Sequence, residues 1–186
     1  MTEEIRNSAE PALEKGIVSI FTGPGKGKTS AAIGTAIRAA GHGLKIYMLF
    51  LLKGDSYEHG EFKVLEKLPE VTLKSVAERS WVQQQPVSAK HRDAARQALV
   101  EVKQAMMSGL YDVIVIDEAN LAITKGLIDL DAITALIEHK PVNVELIITG
   151  RNADPALVRM ADLVSEILMI KHPFAEGVTA RRGIDY

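Results

Sequence analysis

The chain has 186 residues, a formal net charge of −2 and 47% hydrophobic side chains. That suffices for one domain with a substantial core, and with no long basic run a dedicated nucleic-acid binder is not expected. The absence of cysteine excludes disulfides, thiolate metal sites and a cysteine nucleophile. No apolar run reaches the ~18 residues needed to span a bilayer, and residues 1–15 have acidic groups and no signal-like apolar stretch, so a cytoplasmic protein without a membrane partner is expected.

Residues 1–15 are polar, contain Pro11 and read as an arm, mobile or ordered on assembly, ahead of a single domain at 16–186. The apolar run 17–22 predicts a first strand, and the small-residue stretch 29–40 a helix ended by Gly41-His42-Gly43. A strand at 45–52, a short helix at 61–67 and a short strand at 71–76 follow. The polar stretch 78–88, with Gln83-Gln84-Gln85-Pro86, reads as a long loop able to act as a lid. A long helix is predicted over 89–107, a strand over 112–116 and a helix over 130–139, with Asp129 as its cap and Pro141 beyond its end. A strand at 144–149, a helix beginning at Asp154-Pro155 and a last strand over 163–171 complete the chain. Val113-Ile114-Val115-Ile116 and Leu146-Ile147-Ile148 do not alternate with polar residues, which points to strands buried on both faces. The expected fold is therefore α/β, a mainly parallel sheet with helices on both faces. In such sheets ligands sit beyond the carboxyl ends of the strands.

The chemistry concentrates at those ends. Gly23-Pro24-Gly25-Lys26-Gly27-Lys28-Thr29-Ser30 lies between the first strand and the first helix. Glycines let consecutive N–H groups turn toward an anion, and the helix adds its positive N-terminal end. Lys28 is placed to reach the outer phosphates and Thr29 to ligate Mg²⁺ or Mn²⁺. The usual Gly-x4-Gly-Lys-Thr pattern would need a glycine at position 22, which is Thr22. Asp117-Glu118 end the buried run 113–116, where a metal ligand for a triphosphate is required. Arg151, after Thr149-Gly150, is a candidate phosphate partner. Trp81 is the only tryptophan and lies among polar residues, which suits contact with a ligand or partner. His172 is a further ligand or acid–base candidate. On these residues alone, a RecA-like P-loop ATPase or kinase stands as an alternative, with Asp117-Glu118 as the metal-binding and water-activating pair.

Taken in order, several segments resemble the P-loop-type corrinoid adenosyltransferases over about residues 16–186. They are the loop at 23–30; Arg38-Ala-Ala-Gly-His-Gly at 38–43; Lys53-Gly54; Trp81; Asp117-Glu118-Ala119-Asn120; Ile148-Thr149-Gly150-Arg151; 161–166; and Lys171-His172-Pro173-Phe174 with the ending Gly183-Ile184-Asp185-Tyr186. The resemblance implies a RecA-like P-loop fold and transfer of the 5′-deoxyadenosyl group of ATP to Co(I) of a reduced corrinoid, releasing triphosphate. It implies ATP bound in the reverse sense from P-loop hydrolases, with loop glycines that begin one position later, as Thr22 requires. Lys28 and the loop amides would hold the triphosphate, Thr29 and Glu118 would belong with the metal, and Arg38 would lie near the nucleotide. It further implies a homodimer, an N-terminal segment that helps cover the corrinoid, and Co(II) reduction supported by a transient flavoprotein reductase. Many members read Gly-Phe-Thr-Trp where this chain has Glu78-Arg79-Ser80-Trp81, a departure that bears on how water and the lower cobalt ligand are excluded.

Overall fold

The computed structural model describes residues 12–54, 59–77 and 87–185. Its elements follow the alternation read from the sequence: β1 Val18–Thr22, α1 Lys28–Gly41, β2 Ile46–Gly54, α2 Gly60–Leu65, β3 Val71–Ala77, α3 Ala89–Met107, β4 Val113–Asp117, α4 Ala119–Thr124, α5 Leu130–Glu138, β5 Glu145–Thr149, α6 Pro155–Met160 and β6 Leu163–Glu166. A 3₁₀ turn covers Pro173–Glu176. All strand pairs are parallel, in the order β3-β2-β4-β5-β1-β6.

Side chains that alternate along each inner strand feed two cores, which explains the continuous apolar runs. Ile114 and Ile116 of β4 and Leu146 and Ile148 of β5 pack with α3, α4, α5 and α6 on one face. Val113, Val115 and Ile147 pack on the other face with Ala32 and Ala36 of α1 and Leu65 of α2. The small residues of α1 let it lie close to the sheet, which fixes where the loop ahead of it opens. Burying both faces of the central strands is the main stabilising term, at roughly 25 cal/mol per Å² of apolar surface.

Three local expectations are corrected. The last strand stops at Glu166 rather than running to 171. Beyond it the Ile167 N–H still reaches Thr22 O at 2.8 Å, but the Ile167 carbonyl turns to accept from the Gly25 N–H at 2.7 Å. The chain therefore follows the glycine loop and leaves Leu168, Met169 and Ile170 exposed. A helix, α4, directly follows Asp117-Glu118 where none was expected. Asp129 does occupy the N-cap position of α5, but its side chain makes no capping bond; it accepts from Arg96 Nη2 at 3.3 Å. Asp154, in contrast, caps α6 through the Ala156 N–H at 2.7 Å. No helix among the described residues is long and apolar enough to cross a membrane.

Candidate nucleotide and metal site

The carboxyl ends of β1, β2 and β4 open on a cavity of about 750 Å³, within the size range of small-molecule sites. Its floor is the loop from Gly25 to Ser30, one wall is the Ile33, Gly34 and Ile37 face of α1, and another is the segment from Val178 to Asp185. Lys53, Glu61, Glu118, Arg151 and His172 complete the lining. The predicted residues Gly25, Lys26, Gly27, Lys28, Thr29, Ser30, Glu118 and Arg151 are thus brought together. Gly23, buried, and Pro24, exposed, do not line the cavity. Arg38 is exposed in the last turn of α1 and does not line the cavity. Arg79 and Trp81 lie outside the described residues, as does the arm through residue 11.

The loop's glycines answer to two demands. Gly27 precedes α1 with φ 122° and no side-chain cap, so the first amides of the helix point forward without a capping oxygen. At Gly25 the demand is steric, since a Cβ would stand 2.6 Å from the carbonyl oxygen of Leu168. The strand extension after β6 is packed against the back of the loop. The Lys28 ammonium is buried and donates to the Gly25 carbonyl at 2.6 Å. Burial holds it below the usual lysine range, Arg151 adds to that, and Glu118 and Asp117 oppose it.

One strand, β5, separates the strand that carries the loop from the strand that carries Asp117. The two are nevertheless joined through side chains. Asp117 Oδ1 accepts from Thr29 Oγ1 at 2.8 Å and from Thr149 Oγ1 at 2.6 Å, while Thr149 Oγ1 accepts from the Glu118 N–H at 2.9 Å. Thr29 comes from α1, Asp117 from β4 and Thr149 from β5, so the network locks three elements at one point. Glu118 then turns the chain into α4 with φ 62°, in the left-handed region. Asn120 anchors that turn by donating to the Gly150 carbonyl at 3.2 Å. Burial pushes the Glu118 carboxyl up and the Asp117 charge adds to it, against the pull of Lys28, Lys53 and Arg151.

Asp117 Oδ2 and Glu118 Oε2 are buried without hydrogen-bond partners. Orphaned carboxylate oxygens are costly unless a cation completes them, so these residues fit a divalent metal. No group of three or more His, Asp or Glu side chains poised to hold a metal occurs among the described residues. Two carboxylates and a threonine hydroxyl suit Mg²⁺, which takes much of its shell from water and substrate phosphates.

Sequence reasoning noted Lys53 and Gly183-Ile184-Asp185 only within resembling segments and missed Glu61 and the rest of the wall, from Val178 to Ala180. Lys53 Nζ donates to Glu61 Oε1 at 2.6 Å and lies 3.8 Å from Asp117 Oδ2. Lys26 donates to the Ile184 carbonyl at 2.9 Å and pairs with Asp185, which also accepts from the Arg181 backbone at 2.8 Å and Nε at 3.0 Å. No local signal announces either contact: Lys26 and Asp185 are 159 residues apart, and Lys53 and Glu61, 8 apart, lie on different elements at a spacing that carries no pattern.

A family model described as ATP:corrinoid adenosyltransferase BtuR/CobO/CobP matches residues 14–186. The corrinoid adenosyltransferase of Pseudomonas aeruginosa is 33% identical over 180 residues, covering 96% of this chain and 87% of that protein. The Escherichia coli K12 enzyme of the same description is 34% identical over 178 residues, with coverage of 96% and 89%. Among solved structures, a KaiC-like protein from Pyrococcus horikoshii superposes with a TM-score of 0.53 at 16% identity, over 85% of this chain and 75% of that one. That last likeness speaks for the shared fold alone.

Proposed function

The chain belongs to the ATP:corrinoid adenosyltransferase family BtuR/CobO/CobP, and from that premise we propose that its cavity binds ATP and transfers the 5′-deoxyadenosyl group to Co(I) of a reduced corrinoid. The observation that carries this reading is the extent of the family match. Residues 14–186 take in every residue that lines the cavity, from Gly25 to Asp185.

In this reaction the cobalt electron pair forms a bond to the 5′ carbon, the carbon–oxygen bond breaks, and triphosphate leaves with the electrons of that bond. Co(I) is a strong nucleophile and needs no general base, so the chain's task is placement and stabilisation of the leaving group. The reacting atoms must be held about 3–3.5 Å apart in line. Lys28, Lys26, Arg151 and the amides of Gly25 to Ser30 hold the triphosphate in the reverse sense, with the 5′ carbon turned outward. Their charges stabilise the departing oxygen. Thr29, Asp117 and Glu118 hold Mg²⁺ or Mn²⁺, which when bound neutralises charge on the leaving triphosphate. Trp81 and the residues around it contribute to the corrinoid side, with Arg79 at the usual phenylalanine position, and Arg38 serves the nucleotide from the α1 surface.

A homodimer is part of this reading. The edge strand β6 and its continuation expose Leu163, Val164, Leu168, Met169 and Ile170, an apolar edge of the kind that proteins cover. A cytoplasmic location, an arm at 1–15 that covers the corrinoid and a flavoprotein reductase that delivers the electron complete the proposal.

The test is an anaerobic assay with ATP, Mg²⁺ and chemically reduced cobalamin, following the absorbance spectrum and the phosphate product. Formation of a light-sensitive cobalt–carbon species with intact triphosphate is expected. ADP and orthophosphate without a spectral change would instead establish a P-loop ATPase or kinase. Lys28→Ala should lower the transfer rate by about 10²-fold or more, the effect of removing a preorganised donor at developing charge.

A further inference from the structure

Strand β2 changes its pleat before it ends. Ile46, Met48 and Phe50 face α1 and α2, while Tyr47, Leu49 and Leu51 face α3. Strict alternation would send Leu52 toward α1 and Lys53 toward α3. Instead Leu52 packs with the α3 cluster, and the pairing with β3 shifts between Phe50 and Gly54. An irregularity of this kind re-aims a side chain. Lys53 ends on the Phe50 side, with Nζ 5.3 Å from that ring's centroid.

There Lys53 stands between two carboxylates in different circumstances. Glu61 holds it by a 2.6 Å hydrogen bond. Asp117 lies on the other side, and its Oδ1 is already committed to Thr29 and Thr149. Its Oδ2, buried and without a hydrogen-bond partner, is 3.8 Å from the ammonium. That is about 1 Å longer than a usual N–H···O hydrogen bond and beyond its range. The one atom of Asp117 left for a cation is therefore the atom Lys53 would take if it moved. Glu61 is itself supported: it sits in the first turn of α2, with His59 Nδ1 4.0 Å from its carboxylate and the His59 ring packed at a tilt against Phe62, 5.0 Å between centroids.

We propose that Glu61 is a positioning residue for the divalent cation: by holding the Lys53 ammonium, it keeps Asp117 Oδ2 open to the metal. This rests on the metal–triphosphate reading given above. Lys53 remains close enough to moderate the paired charge of Asp117 and Glu118 but does not occupy the ligand position. Without Glu61, the nearest unpaired acceptor for Lys53 is Asp117 Oδ2, and the lysine becomes an internal competitor of the metal.

The experiment is equilibrium Mn²⁺ binding to the protein without nucleotide, read from the free-ion electron paramagnetic resonance signal. Glu61→Ala should weaken binding roughly 5- to 10-fold, the scale of one partly buried ion pair. Glu61→Gln, which keeps an acceptor oxygen for Lys53, should weaken it less. The double variant Lys53→Met/Glu61→Ala should bind Mn²⁺ within about 2-fold of the parent, because the competitor is gone. Equal binding by Glu61→Ala and the parent would overturn the proposal. So would a double variant as weak as Glu61→Ala, since the defect would then be structural. Asp117→Asn separates this from the underlying reading: if it binds Mn²⁺ as tightly as the parent, the cation does not sit at Asp117 and the metal site itself is wrong.

Discussion

Glu118 combines a left-handed backbone, φ 62°, with a carboxylate oxygen buried away from any hydrogen-bond donor. The first costs about 1–2 kcal/mol for a residue with a Cβ, and the second adds a desolvation penalty beside the like charge of Asp117. Strain and unpaired charge at one residue mark a position shaped for binding rather than for stability. Glu118→Gln in metal-free protein should therefore leave the melting temperature unchanged or raise it, while adenosyl transfer falls by about 10²-fold; calorimetry and the cobalamin assay on the same sample check both. At Gly150, with φ 131°, a Cβ would stand 3.0 Å from the backbone nitrogens of Asn120 and Leu121. That contact ties the turn after β5 to the start of α4.

Glu61 shows a second residue-scale effect. Burial alone would raise its carboxyl, but the hydrogen bond from Lys53, its own backbone bond and the charges of Lys53 and His59 outweigh burial and leave it below the ordinary value. The folded state therefore binds fewer protons here than the unfolded chain. The contribution is complete above the ordinary glutamate value of about 4.3 and is lost as pH falls through the depressed one. The stability difference between the parent and Glu61→Gln should be constant from about pH 6 upward and shrink below about 4.3, as measured by urea unfolding over a pH series.

At the scale of elements, two ties show how the strand ends are held. Lys140, just past α5, donates to the carbonyls of Gly16, Pro141 and Val144 at 2.9, 3.1 and 2.8 Å, and burial holds its ammonium below the usual range. It thereby fastens the entry to β1 to the entry to β5, the two strands that flank the loop site from below. Lys140→Met leaves those carbonyls without this donor and should cost about 1–3 kcal/mol in chemical denaturation, with little effect on the rate of the folded enzyme. At the other edge, Asp162 accepts from the Val18 N–H at 2.8 Å and sets the register of β6 on β1. The ending of β6 at Glu166 then frees Ile167 to back the glycine loop.

For the whole molecule, the strand order β3-β2-β4-β5-β1-β6 assembles one site from the ends of distant segments. The wall at 178–185 is held by Lys26, Asp185 and Arg181. Hydrogen bonds from Lys26 and Arg181 hold the Asp185 carboxyl well below the usual aspartate range, so this tie is ionised at all pH values above the ordinary range near 3.9. Asp185→Ala should speed amide hydrogen exchange across 178–185 while leaving exchange in β1, β4 and β5 unchanged, because the tail is a local unit on the surface of a core it does not build.

Much of this was legible along the chain. Gly23 to Ser30 declares an anion loop because glycine backbones and a following helix make one wherever they fold. The runs at 113–116 and 146–148 declare buried parallel strands because no polar side chain interrupts them. Asp117 and Glu118 stand out by position alone, at the end of such a run. The order of the strands, the early end of β6, the helix after Glu118, the turning of Lys53 toward Glu61 and the docking of Asp185 on Lys26 are different in kind. Each depends on a partner between 8 and 159 residues away or on a register shift between two strands. Local composition determined that this protein has a phosphate loop and carboxylates able to serve it. Only tertiary packing decided which of their oxygens stay open, because a side chain's direction at a strand end is set by its neighbours across the sheet and not by its own sequence.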